Sequence, residues 1–158
     1  MFEPFVKTGN VEEDDKSFCA MVSYYLDKDD EFITTLSNAS ALLAWYLEDV
    51  SWLGFYLFDG KELYLGPFQG LPACTKIKLG SGVCGISAEE RKTLNIPDVS
   101  LFPTYIACEG DVKSELVSPL LKDGKLLGVL DADSNSYSRF TEREERLFEA
   151  VCSFITRQ

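Results

Sequence analysis

Glu115-Leu-Val-Ser-Pro-Leu-Leu-Lys-Asp-Gly-Lys-Leu-Leu-Gly-Val-Leu-Asp-Ala-Asp133 reads as two strands folded about a tight turn. Asp123-Gly124 is the dipeptide that a two-residue hairpin favours, because both positions need left-handed backbone. Glu115–Leu121 and Lys125–Asp133 therefore run antiparallel. Side chains two residues apart on a strand share a face, so Asp131 and Asp133 point the same way. Glu115, at the start of the outgoing strand, comes close to both. Like charges at that spacing, beside apolar Val129 and Leu130, should raise the pKa of at least one carboxyl. An acid that keeps its proton can act as a general acid, and one that ionises can seat an ammonium group. Plain solvation is the usual fate of aspartates near a strand end, but convergence of a third carboxylate is not expected of scattered surface charges.

Outward from this hairpin, Ser51–Asp59 and Glu62–Phe68 flank Asp59-Gly60 and predict a second one. A further strand is expected over Thr75–Leu79 and a short helix over Val83–Arg91. The segment from Asn95 to Lys113, with Pro97, Pro103 and Gly110, predicts an irregular loop. Phe18, Val22 and Tyr25 recur at helical spacing within Asp15–Leu26, as do Phe32, Leu36, Leu43 and Leu47 within Asp30–Leu47. At the far end Thr141 and Glu144 form a capping box ahead of the apolar stripe Leu147, Phe148, Val151, Cys152 and Ile155. Hairpins between terminal helices predict an α+β domain, an antiparallel sheet with helices packed on one side. The sequence shows no repeat or linker, so one domain over residues 1–158 is expected.

Composition narrows the function. Of 158 residues, 46% are apolar and 26% charged, enough for a packed core at this length. The formal charge of −11 opposes binding to nucleic-acid phosphates or anionic membranes. There is no basic-then-apolar leader and no run of ~20 apolar residues, so a cytoplasmic protein is expected. Thiols stay reduced there, and the five cysteines are not read as a permanent disulfide framework.

Cys19 and Cys152 fall within helical patterns and read as core. Cys74, Cys84 and Cys108 each sit between elements, beside small or turn-forming residues, where reactive groups are displayed. From spacing alone, three inert thiols and a redox set fit equally well. The chain has no histidine and no C-x-x-C pair. The standard zinc spacings are therefore missing, and no metal is expected. A Cys–His hydrolase is excluded for want of the base. Thiol redox chemistry, with one thiolate nucleophile and one resolving thiol, is what survives. Trp52 and Tyr56, four apart on one strand face, read either as core or as the apolar wall of a ligand pocket.

Several blocks in order carry a specific resemblance. They are Trp52-Leu-Gly-Phe-Tyr56, Leu65-Gly-Pro-Phe-Gln-Gly-Leu-Pro-Ala-Cys74, Gly80-Ser-Gly-Val-Cys-Gly85 and Phe102-Pro103. Ile106-Ala-Cys108, Ser114-Glu-Leu-Val117 and Gly128-Val-Leu-Asp-Ala-Asp-Ser134 complete the set. From about Asn38 to Phe154 the chain resembles the free methionine-R-sulfoxide reductases, enzymes of the GAF fold. That resemblance implies a six-stranded antiparallel sheet with N- and C-terminal helices packed against it, and a closed pocket for a free amino acid. It implies reduction of free L-methionine-(R)-sulfoxide to L-methionine through a cysteine sulfenic acid and a disulfide, recycled by thioredoxin and needing no cofactor. Cys108 matches the nucleophile, Cys74 the resolving partner, and Cys84 a third thiol of the site. Glu115, Asp131 and Asp133 match the substrate-holding acids, and Trp52 and Tyr56 the aromatic side of the pocket. The family often forms homodimers. Where relatives commonly carry histidines before the nucleophile, this chain has Ser100 and Tyr105. The alternative is a non-enzymatic GAF module that binds a small ligand or acts as a redox switch. An acidic pocket is wrong for a phosphate-bearing ligand, and a switch would form its disulfide with peroxide yet ignore sulfoxide.

Overall fold

The computed structural model describes residues 2–26, 29–106 and 110–157. The hairpin that carries the acids is its centre: β5 (Ser114–Lys122) and β6 (Lys125–Ser134) pair antiparallel from Ser114↔Ser134 to Lys122↔Lys125. Asp123 (φ 51°) and Gly124 (φ 74°) both take the left-handed backbone that such a turn requires. The second predicted hairpin is β1 (Trp52–Phe58) and β2 (Glu62–Gln69). Short β3 (Lys76–Lys78) and β4 (Leu94–Ile96) complete a six-stranded sheet in the order β3-β2-β1-β6-β5-β4, with every neighbouring pair antiparallel.

β4 corrects the reading of 95–113 as irregular throughout. Leu94, Asn95 and Ile96 pair with Val117, Leu116 and Glu115, and a 3-10 turn follows at Val99–Leu101. Three residues with a polar centre, cut off by Pro97, are too few to show an alternating pattern. Both edges of the sheet are thus three-residue strands, which leaves little exposed ladder to recruit another chain. Pro119 lies beyond the reach of β4, whose pairing ends at Val117, so its missing N–H interrupts no ladder on that side.

Helices α1 (Val11–Tyr25), α2 (Phe32–Tyr46) and α4 (Glu142–Thr156) cover one face of the sheet. Phe18, Val22, Leu36, Leu43, Leu147, Phe148, Val151 and Ile155 pack there on Leu53, Phe55, Leu116, Leu130 and Ala132. The capping box at Thr141 and Glu144 is present, and Cys152 is buried as a core thiol. α1 begins four residues before the expected Asp15. Asn10 accepts from the Glu12 and Glu13 amides at 3.1 and 3.2 Å, and this cap starts a polar first turn that carries no apolar periodicity. Helices do not keep to one side, as the sequence suggested. α3 (Gly82–Glu90) packs on β5 and β6 from the opposite face. No helix among the described residues is long and apolar enough to cross a membrane.

The polar ends of α1, α2 and α4 meet at Asp15. Its carboxylate receives two bonds from the Arg143 guanidinium, at 2.7 and 2.8 Å, and one from the Tyr46 hydroxyl at 2.6 Å. Partial burial works against the charge, but these donors outweigh it and hold the Asp15 carboxyl below its ordinary value. Asp15→Ala is expected to lower the unfolding free energy by about 2 kcal/mol, measured by urea titration at pH 7. For a carboxyl lowered on folding, that contribution is complete above the unfolded pKa. It fades as pH falls through the lower folded value, so wild type and variant should converge in acid.

Candidate active site

The strand period sorts the central strands into two faces. Leu53, Phe55 and Leu57 face the terminal helices, while Trp52 and Tyr56 face the other way. Register then assembles the site. Asp133 stands opposite Trp52 on one side and Glu115 on the other, and Asp131 lies opposite Gly54 and Val117. Above this floor lies the first turn of α3, followed in space by Tyr105, Ile106 and Val112. The result is a cavity of about 30 Å³. All of Trp52, Tyr56, Cys84, Glu115, Asp131 and Asp133 line it.

Cys84 lies within the first turn of α3, at the start of the helix expected over Val83–Arg91. It is buried, and its thiol donates to Glu115 Oε1 at 3.9 Å. Burial, followed by the Asp131 and Glu115 charges, pushes the Cys84 thiol well above its usual value. Burial, then Asp131 and Asp133, likewise raises the Glu115 carboxyl well above the carboxylate range. Plain solvation is ruled out for two of the acids, with Glu115 6% exposed and Asp131 5%, while Asp133 is half-buried. Burial, then the Asp131 charge, also raises the Tyr56 phenol, which stays protonated.

Cys84 Sγ and carboxylate oxygens of Glu115 and Asp131 lie within 4.8 Å of one another. Such a trio could ligate a divalent cation, or meet the three N–H donors of an ammonium group. No Lys or Arg is among the described lining residues, so the site presents acceptors and proton-holding groups to whatever enters.

The aromatic wall is deeper than two rings. Trp52 is stacked between Tyr56, with centroids 5.8 Å apart, and Phe68, at 5.4 Å. Its indole N–H donates to the Leu71 carbonyl at 3.0 Å. Cys74 is half-buried on the segment that follows and is disulfide-bonded, whereas Cys19, Cys84 and Cys152 carry free thiols. Cys108, the expected nucleophile, lies outside the described residues. Ser100, far from a cavity role, donates its hydroxyl to Asp98 at 2.6 Å, whereas Tyr105 lines the cavity. Sequence reading missed Ile77, Val83, Ile106 and Val112 as pocket-forming residues, and Phe68 as the ring stacked on Trp52. They come from β2, β3, α3 and the stretch ahead of β5, and no period links them.

Comparison with known proteins agrees with this geometry. The GAF domain family model matches residues 22–158. A free methionine-R-sulfoxide reductase of Escherichia coli is 45% identical over 115 residues, 73% of this chain and 70% of that protein. The corresponding Saccharomyces cerevisiae enzyme is 41% identical over 135 residues, 80% of this chain and 74% of its own. The crystal structure of free methionine-R-sulfoxide reductase from Neisseria meningitidis in complex with its substrate superposes with a TM-score of 0.93 at 31% identity. That match covers 99% of this chain and 95% of the other. With its curled six-stranded sheet, its acid-floored cavity and these relatives, the chain belongs to the free methionine-R-sulfoxide reductase family of GAF domains.

Proposed function

We propose that this protein reduces free L-methionine-(R)-sulfoxide to L-methionine in the cytosol and is recycled by thioredoxin. The observation that carries the reading is the buried cluster of Glu115, Asp131 and Cys84 beneath an aromatic wall. A buried site rich in acceptors selects a ligand that brings its own cation, and a free amino acid brings an α-ammonium. The apolar wall that Trp52 and Tyr56 present to the cavity suits the S-methyl end. A peptide-linked sulfoxide has no such ammonium and would leave the acids uncompensated.

In the proposed cycle the carboxylates hold the ammonium, and a protonated group of the floor supplies a proton to the sulfoxide oxygen. The Cys108 thiolate attacks the sulfoxide sulfur, the S–O bond passes to cysteine, and methionine leaves. Cys108 is then a sulfenic acid. Cys74 condenses with it to a disulfide and releases water, and a dithiol reductant returns both thiols with two electrons. The disulfide-bonded state of Cys74 supports its part in this scheme. Cys84 serves as a floor thiol rather than the attacker, since its burial among acids keeps its proton on.

An NADPH-coupled thioredoxin assay with four substrates tests the reading: the R and S epimers, each free and within a blocked peptide. Turnover is expected with the free R epimer, at least about a hundredfold above the others, because each pays a lost ammonium contact or a wrong sulfur geometry. Equal rates on the peptide would end the proposal.

A further inference from the structure

Residues 70–75 leave β2, pass over the first strand and return as β3 with Cys74 near their end. Entry is fixed where Gln69 pairs with Leu53, and exit where the Leu65 amide donates to the Thr75 carbonyl at 3.0 Å. Between them the Trp52 indole N–H holds the Leu71 carbonyl at 3.0 Å. The indole itself is locked: it is 2% exposed and stacked on Tyr56 and Phe68. The loop also lies flat against it. Gly70 has φ +131°, and a Cβ added there would stand 2.6 Å from Trp52 Cδ1 and 3.1 Å from the Ser51 carbonyl oxygen.

We infer that Trp52 is a positioning residue for the resolving thiol: its indole N–H holds the Gly70–Thr75 loop, seen here with Cys74 disulfide-bonded, in the arrangement that the closing step must reach. The inference rests on the thiol roles proposed above. The physical reason is restraint. Closure joins Cys74 sulfur to the Cys108 sulfenic sulfur and expels the hydroxyl as water with the Cys74 proton. The rate of such an intramolecular step follows how narrowly the two sulfurs are held. A loop tied at both ends and in the middle explores far less volume than one tied at its ends. Because the same ring lines the substrate cavity, one rigid side chain links the place where sulfoxide is reduced to the place where the sulfenic acid is resolved.

Gly70→Ala and Trp52→Phe separate this role from packing and from substrate binding. Gly70→Ala pushes the loop and the indole apart while every cavity side chain keeps its identity, and the peroxide readout below needs no bound substrate. Trp52→Phe keeps an aromatic ring in the stack and removes the N–H. Reduced full-length protein is treated with one equivalent of hydrogen peroxide, which oxidises the nucleophile without any methionine sulfoxide. Sulfenic acid is trapped with dimedone, and disulfide closure is followed by mass. In Gly70→Ala, sulfenic acid should form within about twofold of the wild-type rate while closure slows about tenfold, so the dimedone adduct accumulates. In Trp52→Phe, the ratio of closure to sulfenic acid formation should fall by about the same factor.

Closure at the wild-type rate in either folded variant overturns the inference, as does equal slowing of both steps in Trp52→Phe. Should Gly70→Ala fail to fold, Trp52→Phe decides. Normal closure control by Trp52 without any methionine production from sulfoxide would leave this inference standing and sink the proposed function instead. A wild-type protein that closes no disulfide with peroxide would overturn both.

Discussion

Cys108→Ser should lose at least about a thousandfold in kcat with free methionine-R-sulfoxide and dithiothreitol, because it removes the atom proposed to accept the oxygen. A serine hydroxyl has no accessible oxidised state of the sulfenic kind, so no neighbouring group can take over. The companion Cys74→Ser behaves differently. It should release one equivalent of methionine per protein in a single turnover, at close to the wild-type rate, and then stall with thioredoxin as the reductant. Small thiols should partly restore steady turnover, because they attack the sulfenic acid directly. Rapid-quench analysis of methionine separates the two phases. Full activity in Cys108→Ser would move the nucleophile elsewhere. Cys84 would be a poor candidate even then, since burial and two acids hold its proton in place.

Glu115→Gln sets function against stability. Loss of one anionic acceptor for the ammonium should raise KM roughly 10- to 100-fold, the value of one charge-assisted hydrogen bond in a buried site. The same substitution should stabilise the ligand-free protein. Glu115 is buried and crowded by Asp131 and Asp133, and its carboxyl is raised well above the ordinary range by burial and by those charges. A carboxyl raised on folding binds a proton more tightly in the native state. The stability tied to it is complete below the unfolded pKa and is lost as pH rises through the folded value. Wild-type Tm should therefore decline from about pH 5 towards neutrality and beyond, through a window that starts near the usual glutamate pKa of ~4.3. Glu115→Gln should flatten that decline and gain a few degrees at pH 8. A variant that binds poorly and melts earlier at every pH would mean that the carboxylate supports the fold. Such opposition of stability and activity is usual where like charges are gathered for a ligand.

This arrangement also explains the chemistry of the floor. A substrate ammonium favours ionised carboxylates, so its arrival should drive a proton off Glu115. In the proposed cycle that proton is the one handed to the sulfoxide oxygen. The geometry supports this coupling through the shared contacts of Cys84, Glu115 and Asp131, whose ligating atoms lie within 4.8 Å.

Local patterns were enough for much of the molecule. Asp123-Gly124 specified a turn, the turn specified antiparallel pairing, and the two-residue strand period put Asp131 and Asp133 on one face with Glu115 beside them. The capping box of Thr141 and Glu144 marked the last helix for the same reason: each is a rule about neighbours in the chain. The block resemblance added the family and the roles expected of the thiols.

What no local rule contains is which segments come to cover the acid face. α3 lies across the sheet from the other helices, and β4 forms because β5 offers an edge to three residues that have little strand character of their own. The same holds for the cavity wall built by Ile77, Val83, Ile106 and Val112, and for the indole of Trp52 reaching the Leu71 carbonyl. Those placements result from long-range packing, and they in turn exclude water from the carboxylates. Cys84 shows the consequence most directly. In sequence it is a small residue between glycines that could be a reactive thiol; in the fold it is buried against two acids, and the low dielectric there keeps it protonated. Residue identity and spacing name the ionisable groups, whereas their protonation depends on solvent exclusion, and that exclusion is created by parts of the chain distant in sequence.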